Sequence, residues 1–465
     1  MSRKQLHVNL FEMNCVSHIT HGLWVHPDNN RHRFNDIDYW LELAQLLERG
    51  GFDAVFLADV TGTYDVFRGG PQTSLREGMQ IPSNDPLMVI PAMAAVTKHL
   101  GFGVTFSTSY EPPFAFARRM STLDHLTKGR MAWNIVTSYL PNAAKNFGLD
   151  EQIPHDQRYE IADEYTDVLY KLWEGSWDDD AVIQDRENRV YTDPDKVRYI
   201  DHVGEHFKVM GPHLCQPSRQ RTPVLFQATA SPAGMEFAGR HAEVVFTGGR
   251  GHEVIRKNIA AMRAKAVEHG RAPSSIKFVV MASIIVAPTE EEVAEKLKAY
   301  QALIRVEGSM THFQLPIDLL AYPREERIHN VLKRENLTTL FSNFFAADET
   351  IGQTLDRIGN LNQDFFFVAG TPLQVADEIE KWLDEDGIDG INLRQFLSFE
   401  TARDFIDLVV PELRKRGRYR LEYEPGETLR ERLFGKGQAR LPTEHYGARY
   451  RTPEVLLAPA NPLRF

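Results

Sequence analysis

The sequence predicts an α/β protein built as a (β/α)8 TIM barrel with insertions and an extended C-terminal tail. Three observations carry that expectation. About eight short runs are rich in Val, Ile and Phe, and a helix-like segment follows each. The runs are continuously apolar rather than alternating, which suits parallel strands covered on both faces. The first strand–helix turn carries no G-x-G-x-x-G, which weakens the alternative of an open doubly wound sheet.

Taken in order, LHVNLFE (6–12) reads as the first strand. YWLELAQLLERGG (39–51) is an amphipathic helix stopped by glycine. DAVFLADV (53–60) is a buried strand, and DPLMVIPAMAAVTKHLG (85–101) a helix capped by Asp85. GFGVTFST (101–108) and FAFARRMSTLDHLTKG (114–129) form the third pair, and RMAWNIVTS (130–138) with RYEIADEYTDVLYKLWEG (158–175) the fourth. VLFQA (224–228) is the fifth strand. AEVVFTGG (242–249) precedes a helix over 252–270, and KFVVMASIIVA (277–287) one over 290–305. GINLRQF (390–396) and ETARDFIDLVVPELRKRG (400–417) complete the set.

A single barrel is therefore expected over 1–417, interrupted at 61–84, 176–222 and 306–372. VRYIDHVGEHFKV in the second insertion has the form of a hairpin. The third holds THFQLP, LFSNFFAAD and DFFFVAG, and reads equally as a lid or substrate wall and as a small satellite core. Residues 418–465, rich in Pro, Arg and Tyr, are expected to pack on the barrel or on a neighbouring subunit.

The stretch VLFQATASPAGMEFAGR (224–240) organises the functional reading. A buried strand breaks at Thr229, and a helix starts at once, with Ser231 suited to the N-cap and Pro232 to the first helical position. Such a helix aims its free N–H groups and positive dipole end at the strand tips, where a phosphate would be held. The plain alternative is an ordinary capped helix.

Composition narrows the function classes. The 465 residues are 42% hydrophobic and 25% charged, an ordinary globular balance. A net charge of −11 argues against nucleic acid and anionic membrane as partners. Two cysteines, Cys15 and Cys215, make neither a disulfide framework nor a cysteine-rich metal site. No secretory signal and no membrane-length apolar run is evident, so a cytoplasmic protein is expected.

Barrel active sites lie at the C-terminal strand ends. There the sequence places Glu12, Asn14, Cys15 and nearby His18; Asp59 with Tyr64; Thr105, Ser107 and Thr108; Asn134, Thr137, Ser138 and Tyr139; then Gln227, Ser231 and Gln395. No lysine ends a strand, against Schiff-base chemistry. Strands four and seven end without carboxylates, against a glycosidase pair. Strand one has no H-x-H and HVGEH is not H-E-x-x-H, so no metal site is expected. Hydroxyls, amides, one acid and aromatics position and polarise. They call for a cofactor that brings its own reactivity and a phosphate handle. Plain roles stay open for each: Asp59 as a loop cap, Cys15 as inert core, His18 and His312 as structural histidines.

Longer strings carry a resemblance. MNCVSHITHGLW, FDAVFLADVTGTYDV, QIPSNDPLM, ARRMSTLDHLTKGRMAWNIVTSYLP, HDQRYEIADEY, GPHLCQPSRQRTPV and RLPTEHYGARYR resemble the bacterial-luciferase-type two-component flavin monooxygenases. The branch is that of nitrilotriacetate, dibenzothiophene sulfone, dimethyl sulfide and long-chain alkane monooxygenases, the last being nearest. The resemblance covers nearly the whole chain. It implies a luciferase-like barrel that takes FMN, as FMNH2, from a separate NAD(P)H:flavin reductase. Such an enzyme oxygenates a small molecule with O2 through a flavin C4a-(hydro)peroxide. It further implies a homodimer or homotetramer.

Carried over by motif, Asp59, Thr105, Ser138, His155, Tyr159 and Ser231 fall at FMN-contacting positions. Cys15, His18, Tyr64, Gln80, Tyr139 and His312 fall on the substrate side. Tyr139 departs from the motif of the alkane-oxidising members, which have histidine there, and the 306–372 insertion differs as well. With no basic cluster visible in the pocket, an apolar, organosulfur or aromatic substrate is favoured over a polycarboxylate, long-chain alkanes included. Riboflavin cleavage and dimethyl sulfide oxidation are the alternatives within the family. A metal-dependent barrel hydrolase and a non-catalytic flavin-binding protein are those outside it.

Overall fold

Eight parallel strands close into a barrel in the computed structural model, which describes residues 3–18, 21–229, 231–249, 251–337, 345, 348–362 and 366–456. They are β1 (His7–Met13), β2 (Ala54–Ala58), β3 (Gly101–Ser107), β4 (Met131–Val136), β5 (Val224–Ala228), β6 (Val244–Thr247), β7 (Lys277–Val286) and β8 (Gly390–Arg394). Each pairs with its chain neighbours, and β1 pairs with β8 from His7 opposite Gly390 to Phe11 opposite Arg394. All eight strands expected from the apolar runs are present, β5 with the expected bounds. Their inward side chains, Phe11, Phe56, Phe226 and Val279 among them, pack as one cluster inside the barrel. Their outward side chains meet the helices in the main core.

Strand β7 is longer than its neighbours, and its last five residues, Ala282 to Val286, pair with an added strand, Phe366–Gly370. The segment belongs to the insertion that reads equally as a lid or wall and as a small satellite core. Phe366 is buried and stacks on Trp382 at 4.7 Å. The rest of the described 306–372 insertion gathers Met310, Leu315, Ile328, Val331 and Leu355 into a separate small core with Phe67. Most of LFSNFFAAD and the start of DFFFVAG lie outside the described residues. The hairpin in the second insertion is present, His202–Val203 against Lys208–Val209.

The helices start where their caps predict. Asp36 caps Ile37–Gly50, and Gly51 ends it at φ 79°, which glycine adopts without strain. Asp85 caps a turn at Pro86–Val89 that continues as Ile90–Ala95. The helix expected to reach residue 101 stops early for a visible reason: the Glu48 carboxylate takes the backbone N–H groups of Lys98, His99 and Leu100. A helix the sequence reading missed, Pro372–Lys381, opens with a Thr371–Gln374 capping box.

The tail folds back under the barrel. Tyr419 is buried, Arg420 pairs with Asp53, and the helix Leu429–Phe434 lies across the N-terminal strand ends. There Leu429 approaches so closely that a Cβ on Gly101 would stand 2.8 Å from it. Among the described residues no helix is long and apolar enough to cross a membrane.

Candidate active site

At the opposite end of the barrel, the C-terminal tips of β2 to β5 open into a cavity of about 390 Å³. Asp59, Thr105, Ser138, His155 and Tyr159 all line it, so five of the six residues expected on the cofactor side share one wall. The sixth, Ser231, adjoins it through the helix Pro232–His241. Its side chain caps that helix by accepting from the Gly234 N–H at 3.1 Å, with Pro232 in the first turn.

Three hydroxyls converge on this helix start. A Cβ placed on Gly234 would stand 1.9 Å from Thr229 Oγ1, 2.6 Å from the Tyr159 hydroxyl and 3.0 Å from Ser231 Oγ. Thr229 Oγ1 is buried without a hydrogen-bond partner. A positive dipole end, an unsatisfied hydroxyl and a glycine whose missing side chain lets three hydroxyls crowd together fit an anionic group such as a nucleotide phosphate.

The rest of the wall is fixed by β3 and β4. Asn134 donates to Thr105 Oγ1 at 2.9 Å, and Ser138 Oγ donates to Ser107 Oγ at 2.8 Å. Ser138 sits at φ 59°, a strained backbone for serine, and Arg158 from the helix His155–Tyr170 holds its carbonyl. Arg158 was missed in the sequence, although HDQRY places it beside Tyr159. His155 is exposed and bonded to Asp156 at 2.6 Å.

Burial, with the charge of Asp85 beside it, pushes Asp59 up to about 7. The folded protein thus keeps a proton that the unfolded chain releases near pH 4. The stabilisation from that proton is fully present below about pH 4 and is lost as pH rises towards 7. Asp59→Asn should remove this decline. Its stability relative to the parent should rise between pH 4 and 7 and level off above. Urea unfolding of the flavin-free proteins at pH 5 and pH 8 measures this; an equal difference at both would refute it.

The residues expected on the substrate side gather beside this wall. Short bridges tie Cys15 to Ser83 and Ser17 to Met79, and Gln80 donates to the His18 carbonyl at 3.1 Å. These join the end of β1 to the 61–84 insertion. Asn142 bonds both the backbone and the hydroxyl of Thr63, which brings Tyr64 against Tyr139, hydroxyl to hydroxyl. Tyr64 stacks on His312 at 5.3 Å, and His312 lies 5.5 Å from His21. The structure thus brings all six together, although only Tyr139 lines the cavity itself.

The chemistry of this group is neutral. Burial pushes the Cys15 thiol up to about 12, so it stays protonated and is no nucleophile. Burial and the nearby Arg31 and Arg394 hold His18 well below its ordinary value; burial and Arg394 bring His312 down to about 4. The sequence shows no basic cluster in this pocket, and Arg394 at the end of β8, which is 2% exposed, was overlooked. His21 is not among the site residues expected from the sequence. Among the described residues no three His, Cys, Asp or Glu side chains are grouped to hold a metal ion. Glu12, at the end of β1, is engaged by Arg31, Tyr39 and Gln395.

The family model for luciferase-like monooxygenases matches residues 13–390. A long-chain alkane monooxygenase of Geobacillus thermodenitrificans is 53% identical over 451 residues, covering 96% of this chain and 98% of that protein. A dimethyl-sulfide monooxygenase of Hyphomicrobium sulfonivorans is 44% identical, covering 97% and 95%. A crystal structure of a riboflavin lyase with modified FMN and riboflavin superposes with a TM-score of 0.87 at 39% identity, covering 97% and 100%.

Proposed function

The chain belongs to the luciferase-like monooxygenase family, and from that premise we propose that it is the oxygenase half of a two-component system. It is a flavin-dependent monooxygenase. In this reading it takes FMNH2 from a separate NAD(P)H:flavin reductase and oxygenates a small apolar, organosulfur or aromatic molecule. The observation that carries the reading is the helix start at Ser231, where the hydroxyls of Thr229, Tyr159 and Ser231 converge beside Gly234 and suit a nucleotide phosphate.

Asp59, Thr105, Ser138, His155, Tyr159 and Ser231 would hold the flavin. When bound, reduced flavin supplies the electrons that activate O2. The chain's own groups then position and shield. Thr105 and Ser138 present hydroxyls from a fixed wall, and Phe106, Ile135 and Leu140 keep water out. Cys15, His18, Tyr64, Gln80, Tyr139 and His312 would bound the substrate, offering neutral hydrogen-bonding groups and no competing nucleophile.

Ser231→Ala should weaken FMN binding by about 1 kcal/mol, roughly five- to tenfold, and leave riboflavin binding nearly unchanged. Equal losses for both flavins would remove the phosphate role. With NADH alone the protein should form no product, and a generic flavin reductase should restore substrate-dependent O2 use. Full activity without the reductase would contradict the two-component reading. The similarity to a riboflavin lyase favours one second reading, riboflavin as substrate, and the same assay separates it by product.

Homo-oligomerisation in the cytoplasm belongs to the proposal too. The 176–222 insertion leaves Tyr191, Val203 and Met210 exposed, and sedimentation would show whether copies associate.

A further inference from the structure

The flavin-side cavity ends on Tyr139, and a second group of polar side chains lies behind it. Tyr139 is 50% exposed, whereas Tyr64 and His21 are 1% and 3% exposed. The series runs from the cavity through the Tyr139–Tyr64 hydroxyl contact to His312 and then His21.

Several polar atoms in this inner group are buried without a hydrogen-bond partner. They are Nε2 of His18, both ring nitrogens of His21, Nδ1 of His312 and Oε1 of Gln80. A neutral imidazole carries one N–H and one bare nitrogen, so His21 presents an unfilled donor in either tautomer. Burial holds these rings neutral, which leaves them unable to draw a counter-charge into the pocket. The cavity in front is apolar where Val60, Ile135, Leu140 and Phe147 face it.

We propose that Tyr139 determines specificity. Its phenol closes on Tyr64 and yields only to a substrate that carries a compact hydrogen-bond acceptor, such as a sulfoxide oxygen, on an otherwise apolar body. The proposal deepens the monooxygenase reading and rests on it. A hydrocarbon that breaks the phenol pair leaves two hydroxyls without partners and gives nothing to the unfilled His21 N–H. Sites built this way reject the analogue that lacks the polar group.

Dibutyl sulfoxide and nonane have chains of equal length and test this directly. With FMN, NADH and a generic reductase, kcat/KM for the sulfoxide should exceed that for nonane by about 100-fold. Tyr139→Phe should cut that ratio roughly tenfold by raising KM for the sulfoxide. Equal efficiencies in the parent, or an unchanged ratio in the variant, overturn the proposal. Calorimetric titration of dibutyl sulfone into the FMN-loaded protein reads the same preference without turnover. Binding that is absent, or that is indifferent to Tyr139→Phe, also overturns it. FMN affinity measured beside these experiments separates the two readings. Failure to bind FMN counts against the flavin reading, whereas normal FMN binding without discrimination counts against Tyr139 alone.

Discussion

Gly234→Ala is expected to weaken FMN binding by about 100-fold, a loss of about 2.7 kcal/mol. Elsewhere in a helix this exchange would help, since alanine costs less backbone entropy. Here the new methyl would stand within 3.0 Å of the hydroxyls of Thr229, Tyr159 and Ser231 together. Each must turn away, so one substitution disturbs every side chain proposed to bind the phosphate. Riboflavin, which has no phosphate, should lose far less. Fluorescence titration of both flavins measures the difference, and circular dichroism confirms that the variant is folded. If the variant bound FMN as the parent does, the cradle at the helix start would not be the phosphate site.

The second large effect is on stability, at the far end of the barrel. Arg430 and Glu243 form an ion pair at 2.7 Å and are 1% and 3% exposed. The guanidinium also donates to the carbonyls of Thr222, Pro223 and Ala439. Arg430→Met leaves the Glu243 charge buried without its partner and should cost about 3–5 kcal/mol. Adding Glu243→Leu should recover part of the loss, because the two effects are not additive within one pair. Urea unfolding of the three proteins reads both numbers. A single variant within about 0.5 kcal/mol of the parent would mean that the tail does not hold the barrel closed.

The barrel was legible because its strands are buried on both faces, so VLFQA and KFVVMASIIVA read as apolar runs whatever surrounds them. The helix start at Ser231 was legible because N-cap and Pro chemistry are local. What escaped notice depends on contacts distant in sequence. Glu48 halts the helix before Leu100 from 52 residues away. Phe366–Gly370 becomes a strand only because β7 overruns the barrel. Arg394 looks like any charged residue at a strand end until the closed barrel buries it among histidines. The capping box at Thr371 is the exception, since T-P-L-Q is a local signal that could have revealed its helix.

The central claim is that a flavin nucleotide is held by its phosphate at the start of the helix Pro232–His241. A crystal structure of the protein with FMN tests it most directly. The account predicts phosphate oxygens within hydrogen-bonding distance of Thr229 Oγ1, Ser231 Oγ and the Tyr159 hydroxyl, with the ring system between Asp59 and Ser138. A phosphate bound anywhere else, with this helix start left to solvent, would contradict it.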